Sequence, residues 1–143
     1  MTSLLNRTFV YCLVLFSSMA TAQPIVEVPD NIKGVTTLTA ETLIETANSI
    51  EQLVLIDSRL SEDRAVGYIE ESISLADIET TCETLSEAIP ELHTPAAFYC
   101  NGIQCGRSVR AIEIAQSCKY SNLYWFKGGI EEWKAKNYPL AIE

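Results

Sequence analysis

The residues best equipped for chemistry lie in one stretch, Cys100-Asn-Gly-Ile-Gln-Cys-Gly-Arg107. A thiolate is a strong nucleophile, and a free cysteine with a pKa of about 8.5 is pushed toward that form by a helix N-terminus or a nearby cation. Both are expected here. A helix is predicted to begin near Gly106 or Arg107, its first turn carrying about half a positive charge, and Arg107 is the nearby cation. Gly102 and Gly106 allow the backbone to fold into a concave nest of N–H groups. The stretch therefore reads as an anion cradle built around a sulfur. Cys100 is the candidate nucleophile, and Asn101, Gly102, Ile103, Gln104, Gly106, Arg107 and Ser108 form the candidate substrate-binding loop.

No rival chemistry is visible. His93, the single histidine, sits in Glu-Leu-His-Thr-Pro with no serine or cysteine partner pattern, and reads as an exposed linker residue. Cys100 and Cys105 have no second pair at zinc-ligand spacing, so neither a metal nor a cofactor is expected. Cys105 has two readings, a thiol that resolves or pairs with Cys100 and a small loop residue. Cys82 and Cys118 fall on apolar helical stripes, where free cysteine serves as a small core residue. That reading is preferred to a disulfide between them. Trp125 and Trp133 read as packing aromatics.

The elements that must position Cys100 follow from the pattern of apolar residues. Thr39 is a plausible N-cap, and Leu43, Ile44, Ala47 and Ile50 recur at helical spacing, which predicts a helix over about 40–50. Leu53-Val-Leu-Ile56 is a short apolar run of the kind buried on both faces in a parallel sheet. Ser61 to Glu71 reads as a charged loop with one helical turn, and Ile73 to Leu75 as a short strand. Asp77 is expected to cap a helix whose stripe is Ile78, Cys82, Leu85 and Ile89, stopped by Pro90. Ala96-Ala-Phe-Tyr99 is a strand that ends on Cys100. Val109, Ala111, Ile112, Ile114, Ala115 and Cys118 make the next helix apolar over a wide arc. Leu123-Tyr-Trp-Phe126 is a last strand, Lys127-Gly128-Gly129 a turn, and Ile130 with Trp133 mark a short final helix. Alternating strands and helices predict an α/β fold with a central, mainly parallel sheet and helices on both faces. A strand-loop-helix junction at the carboxyl edge of such a sheet is where ligands bind.

At the start of the chain, Arg7, the apolar run from Thr8 to Phe16 and the small residues Ala20-Thr21-Ala22 read as a signal peptide over residues 1–22, removed after Ala22. The run is shorter than the roughly 20 residues of a spanning helix. The chain is therefore expected to be exported, periplasmic or secreted, with no membrane contact after cleavage. Residues 23–143 suffice for one domain. The whole chain carries 10 basic and 19 acidic residues, net −9, and losing Arg7 makes it more acidic still. Such a surface repels nucleic acid and anionic lipid. An anionic substrate would have to be captured locally, by the loop.

Three segments in the same order resemble a rhodanese domain: Leu55-Ile-Asp57-Ser-Arg59, then Tyr99-Cys-Asn-Gly with Arg107-Ser108, then Trp125-Phe-Lys-Gly-Gly-Ile-Glu-Glu-Trp133 followed by Tyr138-Pro-Leu140. The resemblance covers most of residues 23–143. It implies a rhodanese-like fold and a sulfurtransferase in which Cys100 accepts a sulfane sulfur as a persulfide and the loop amides hold the transferred group. The implied partners are a small sulfur-containing anion such as thiosulfate as donor, and a thiol or cyanide as acceptor. Two rival readings are a thiol-disulfide redox protein using Cys100 and Cys105 with a thiol-redox partner protein, and a module that binds a sulfur anion without turnover. Phosphatase activity is a weaker option. The sequence departs from the family pattern in two places. Arg107 stands seven positions after Cys100 where the family's loop commonly ends at five, and Gly67-Tyr-Ile-Glu-Glu-Ser-Ile73 replaces a usual Gly-His-Ile-Pro-Gly stretch.

Overall fold

The computed structural model describes residues 28–142, so the expected leader and its cleavage site lie outside the described residues. Five strands, β1 Val35–Leu38, β2 Val54–Asp57, β3 Ile73–Ser74, β4 Ala96–Tyr99 and β5 Leu123–Phe126, form one sheet in the order β1-β5-β4-β2-β3. Every pairing is parallel. The helices are α1 Ala40–Ser49, α2 Ser61–Arg64, α3 Cys82–Ala88, α4 Arg107–Ser117 and α5 Gly129–Ala135.

The central strand β4 shows why the apolar runs become parallel strands. Its four residues are all buried, and they divide between two cores by the alternation of a pleated strand. Ala96 and Phe98 pack with Leu85 of α3, with Ile89 at its C-cap, and with Val109, Ile112 and Ala115 of α4. Ala97 and Tyr99 pack with Leu43 of α1 and with Ile130 and Trp133 of α5. A strand covered on both faces has no use for polar residues, hence the continuous apolar spelling. The expected parallel sheet with helices on both faces is the fold observed.

Local chemistry sets the helix starts. Thr39 caps α1 and Thr81 caps α3, each closing a reciprocal pair of bonds with the threonine three residues later. The expectation that Asp77 caps the third helix is therefore corrected. Residues 77–79 form a turn, Ile78 is exposed, and the helix begins only at Cys82. Leu85 and Ile89 do face the core. Cys82, at the first helical position, is exposed, and it is joined by a disulfide to Cys118 at the end of α4, with Cα atoms 5.5 Å apart. The preference for two free core cysteines fails because the helix starts four residues later than expected: Cys82 shares the face of Leu85 and Ile89 but stands in the first turn, at the exposed end of that face, within disulfide reach of Cys118.

Candidate active site

Cys100 follows β4 directly, at the carboxyl edge of the sheet, and is 1% exposed. Its place is fixed from three directions. On one side, the Tyr99 carbonyl accepts from Ser58 N at 3.0 Å, tying the end of β4 to the residue after β2. On another, the first N–H groups of α5 take the loop's carbonyls: Ile130 N donates to Cys100 O at 3.0 Å and Glu131 N to Asn101 O at 2.8 Å. Helix α5 thus uses donors that have no partner within a helix to hold the start of the loop. The close approach depends on Gly129, whose φ is +56° and where any β-carbon would collide with the Cys100 carbonyl oxygen.

The third support is a buried polar cluster beneath Cys100. Arg59 grips Asp57 with two bonds, Nε to Oδ1 at 2.9 Å and Nη2 to Oδ2 at 2.7 Å. Tyr99 donates its hydroxyl to Asp57 Oδ2 at 2.8 Å and shares a 2.9 Å bond with Ser72 Oγ. Arg64 donates to Ser72 Oγ at 3.0 Å and lies 3.3 Å from Asp57 Oδ2. All five residues are buried. Burial, reinforced by the Asp57 carboxylate, pushes the Tyr99 phenol well above its ordinary value, so it stays a donor. Burial alone would lower Arg59, but the hydrogen bond and charge of Asp57 outweigh it and raise the guanidinium. A bidentate pair of this kind is geometrically specific, and the cluster makes the end of β4 a rigid platform.

Between Cys100 and α4 the loop makes one tight turn, Cys105 N donating to Gly102 O at 2.9 Å. Cys100 and Cys105 are joined by a disulfide, with Cα atoms 6.2 Å apart. Above it lies an open hollow of about 440 Å³ lined by Asn101, Gly102, Ile103, Gln104, Cys105 and Glu131. Helix α4 begins at Arg107, and its N-cap Gly106, which directly follows Cys105, offers no side-chain bond to the helix's first N–H groups.

The electrostatics differ from the expected cradle. Arg107 is not a wall of the hollow; its Nη1 donates to Asp77 Oδ1 at 2.6 Å, and Arg110 stands 3.9 Å from the same carboxylate. Ser108 is also taken, its Oγ accepting from Trp125 Nε1 at 3.0 Å within the core. The charged groups that do meet the loop are both acidic: Glu131, whose carboxylate lies so close over Gly102 that a β-carbon there would collide with it, and Asp63, which accepts from Asn101 Nδ2 at 3.5 Å. His93 is exposed and bonds Ser121 Oγ at 2.9 Å. Among the described residues no group of three His, Cys, Asp or Glu side chains is arranged to hold a metal ion. A second hollow, of about 360 Å³ between α1, α5 and residues 139–141, is mostly apolar and shares no residue with the loop.

The contacts of Glu131 over Gly102, of Asp77 with Arg107 and of Tyr99 with Ser72 are what sequence reasoning missed. Glu131 stood inside a segment already singled out, directly after Gly128-Gly129, but nothing in a linear pattern shows that α5 delivers it to a loop 30 residues earlier.

With this geometry in place, the family is clear. The family model for the Rhodanese-like domain matches residues 39–136, and the chain belongs to that family. Solved structures agree in fold. A rhodanese-related protein from Thermoplasma volcanium superposes with a TM-score of 0.61 at 24% identity, covering 76% of this chain and 99% of that one. A thiosulfate sulfurtransferase from Pseudomonas aeruginosa gives 0.59 at 21% identity over 76% of this chain, but this chain spans only 20% of that larger protein. A protein of unknown function from Rhodopseudomonas palustris, put forward as a tyrosine phosphatase, gives 0.61 at 21% identity, covering 79% and 98%. A search among curated proteins returns no match. At these identities the likeness speaks for the fold alone, and the chemistry has to be argued from the loop.

Proposed function

We propose that the chain is a sulfurtransferase that carries a sulfane sulfur on Cys100. The observation that supports it best is the position of Cys100 itself, braced at the end of the central strand beside the uncapped start of α4, where a thiolate or persulfide anion is favoured. The Cys100 thiolate attacks the outer sulfur of thiosulfate, the sulfur–sulfur bond of the donor breaks, and sulfite leaves with that bond's electron pair. The persulfide then passes its outer sulfur to a thiol or cyanide. Export to an oxidising compartment is part of this proposal, since two disulfides suit it.

The test is to mix the reduced protein with thiosulfate and to measure sulfite release together with the mass of the peptide bearing Cys100. The expected result is stoichiometric sulfite and, in Cys105→Ser where the second thiol is absent, a gain of one sulfur atom on that peptide, with sulfite and added sulfur both absent in Cys100→Ser. Undiminished transfer in that variant would remove the assignment. The Cys100–Cys105 disulfide favours a second reading, a thiol-disulfide exchange protein; that reading expects no sulfite and no added sulfur.

A further inference from the structure

We propose that Cys105 discharges the Cys100 persulfide, which makes the chain a reductase of sulfane sulfur that releases hydrosulfide and is reset by a dithiol. The inference rests on the persulfide reading above.

Its first support is the placement of the two sulfurs. Neither cysteine lies in a helix or strand: Cys100 follows β4, and Cys105 precedes α4 by two residues. Their Cα separation of 6.2 Å falls within the usual disulfide range. The bond therefore opens and closes inside the loop while the sheet and helices stay where they are. A thiol held in the same loop acts at an effective concentration of about a millimolar or more. An external acceptor has to arrive from solution at its own, lower concentration. The internal thiol is the better placed of the two.

The second support is the difference between the sulfurs. Cys105 lines the open hollow and Cys100 does not. An incoming thiol therefore meets Cys105 first. Attack there makes a mixed disulfide on Cys105 and expels Cys100 as thiolate, the leaving group stabilised by the start of α4. Reduction thus frees the cysteine that must next accept sulfur. Glu131 in the same hollow opposes the entry of anionic acceptors such as cyanide and favours departure of hydrosulfide.

The steps balance. Cys105 thiolate attacks the inner sulfur of the Cys100 persulfide, the Cys100–Cys105 bond forms, the bond to the outer sulfur breaks, and that sulfur leaves as hydrosulfide with the bonding pair. A dithiol then reduces the disulfide through the mixed disulfide on Cys105 and is itself oxidised. From thiosulfate, the sum is one dithiol consumed and one sulfite, one hydrosulfide, one proton and one oxidised dithiol produced.

Loading the reduced full chain with inorganic polysulfide, then removing the excess, tests discharge independently of the donor. The expected result for the wild type is release of about one hydrosulfide per chain and a loss of two hydrogens from the peptides bearing Cys100 and Cys105. Cys105→Ser and Cys105→Ala should retain the added sulfur at least tenfold longer, and release it only when dithiothreitol is supplied. A wild-type persulfide as long-lived as that of both variants would overturn the proposal. Discharge after polysulfide loading, with no sulfite from thiosulfate, would uphold it and reject thiosulfate as the donor.

Discussion

Glu131 is the residue that most changes the picture of the loop. A composition of net −9 already demanded a local positive site for any anionic donor, and the natural candidate was Arg107, seven positions from Cys100. The guanidinium is instead 2.6 Å from Asp77, while the carboxylate of Glu131 forms part of the wall above the disulfide. Two charges about 5 Å apart near a surface interact by roughly 1 to 3 kcal/mol, and Glu131 is exposed enough for the lower end to apply. Glu131→Gln should therefore raise the rate of capture of thiosulfate by about fivefold, with the gain shrinking as salt is added. Stopped-flow sulfite release at two ionic strengths checks this. An unchanged rate would mean that the donor approaches from outside the Glu131 side of the loop. The family resemblance was legible in the sequence because its three segments stand in order, and the cysteine loop because its residues are contiguous. The sign of the field was not, since it depends on where Asp77 and α5 bring their carboxylates.

At the scale of elements, legibility followed the source of each signal. The apolar runs of β2, β4 and β5 and the stop at Pro90 are local and were read correctly, and Thr39 is a local cap. The start of α3 was misread because Asp77 is as good a capping residue by type as Thr81. The choice was made by tertiary pairing, which spends Asp77 on Arg107 and Arg110. The junction between α5 and the cysteine loop was also invisible. It rests on Gly129, which the sequence marked only as part of a turn. Gly129→Ala faces two penalties, a φ of +56° that disfavours a β-carbon by about 1 to 2 kcal/mol and a collision with the Cys100 carbonyl. Relief requires α5 to withdraw, breaking the bonds from Ile130 N and Glu131 N to the loop. The expected outcome is a loss of about 2 to 4 kcal/mol in urea denaturation together with slower persulfide formation at Cys100. A variant as stable and as fast as the wild type would show that α5 does not set the position of the loop.

At the scale of the whole molecule, the described residues carry two nested cross-links. The Cys82–Cys118 bond spans 36 residues and encloses α3, β4, the loop and all of α4, so that the Cys100–Cys105 ring sits inside it. Cross-linking a loop of that size removes unfolded-state entropy equivalent to roughly 4 kcal/mol in the chain-entropy account. The inner bond closes a ring of only a few residues and constrains the unfolded chain much less. The two bonds thus suit different tasks, the outer one stability and the inner one chemistry. In Cys82→Ala/Cys118→Ala the core on the α3 and α4 face remains, because Cys82 is exposed and Leu85 and Ile89 supply that helix's buried contacts. The double variant should fold, with a Tm about 10 to 20 °C lower for a domain of this size. Thiosulfate-dependent sulfite release at low temperature should persist within about twofold of the wild type, because no residue of the loop hollow is altered. Calorimetry and a sulfite assay on the same preparation separate the two effects. Loss of sulfite release while the variant is still folded would show that the outer cross-link also holds α4 in the register that the Cys100 loop requires.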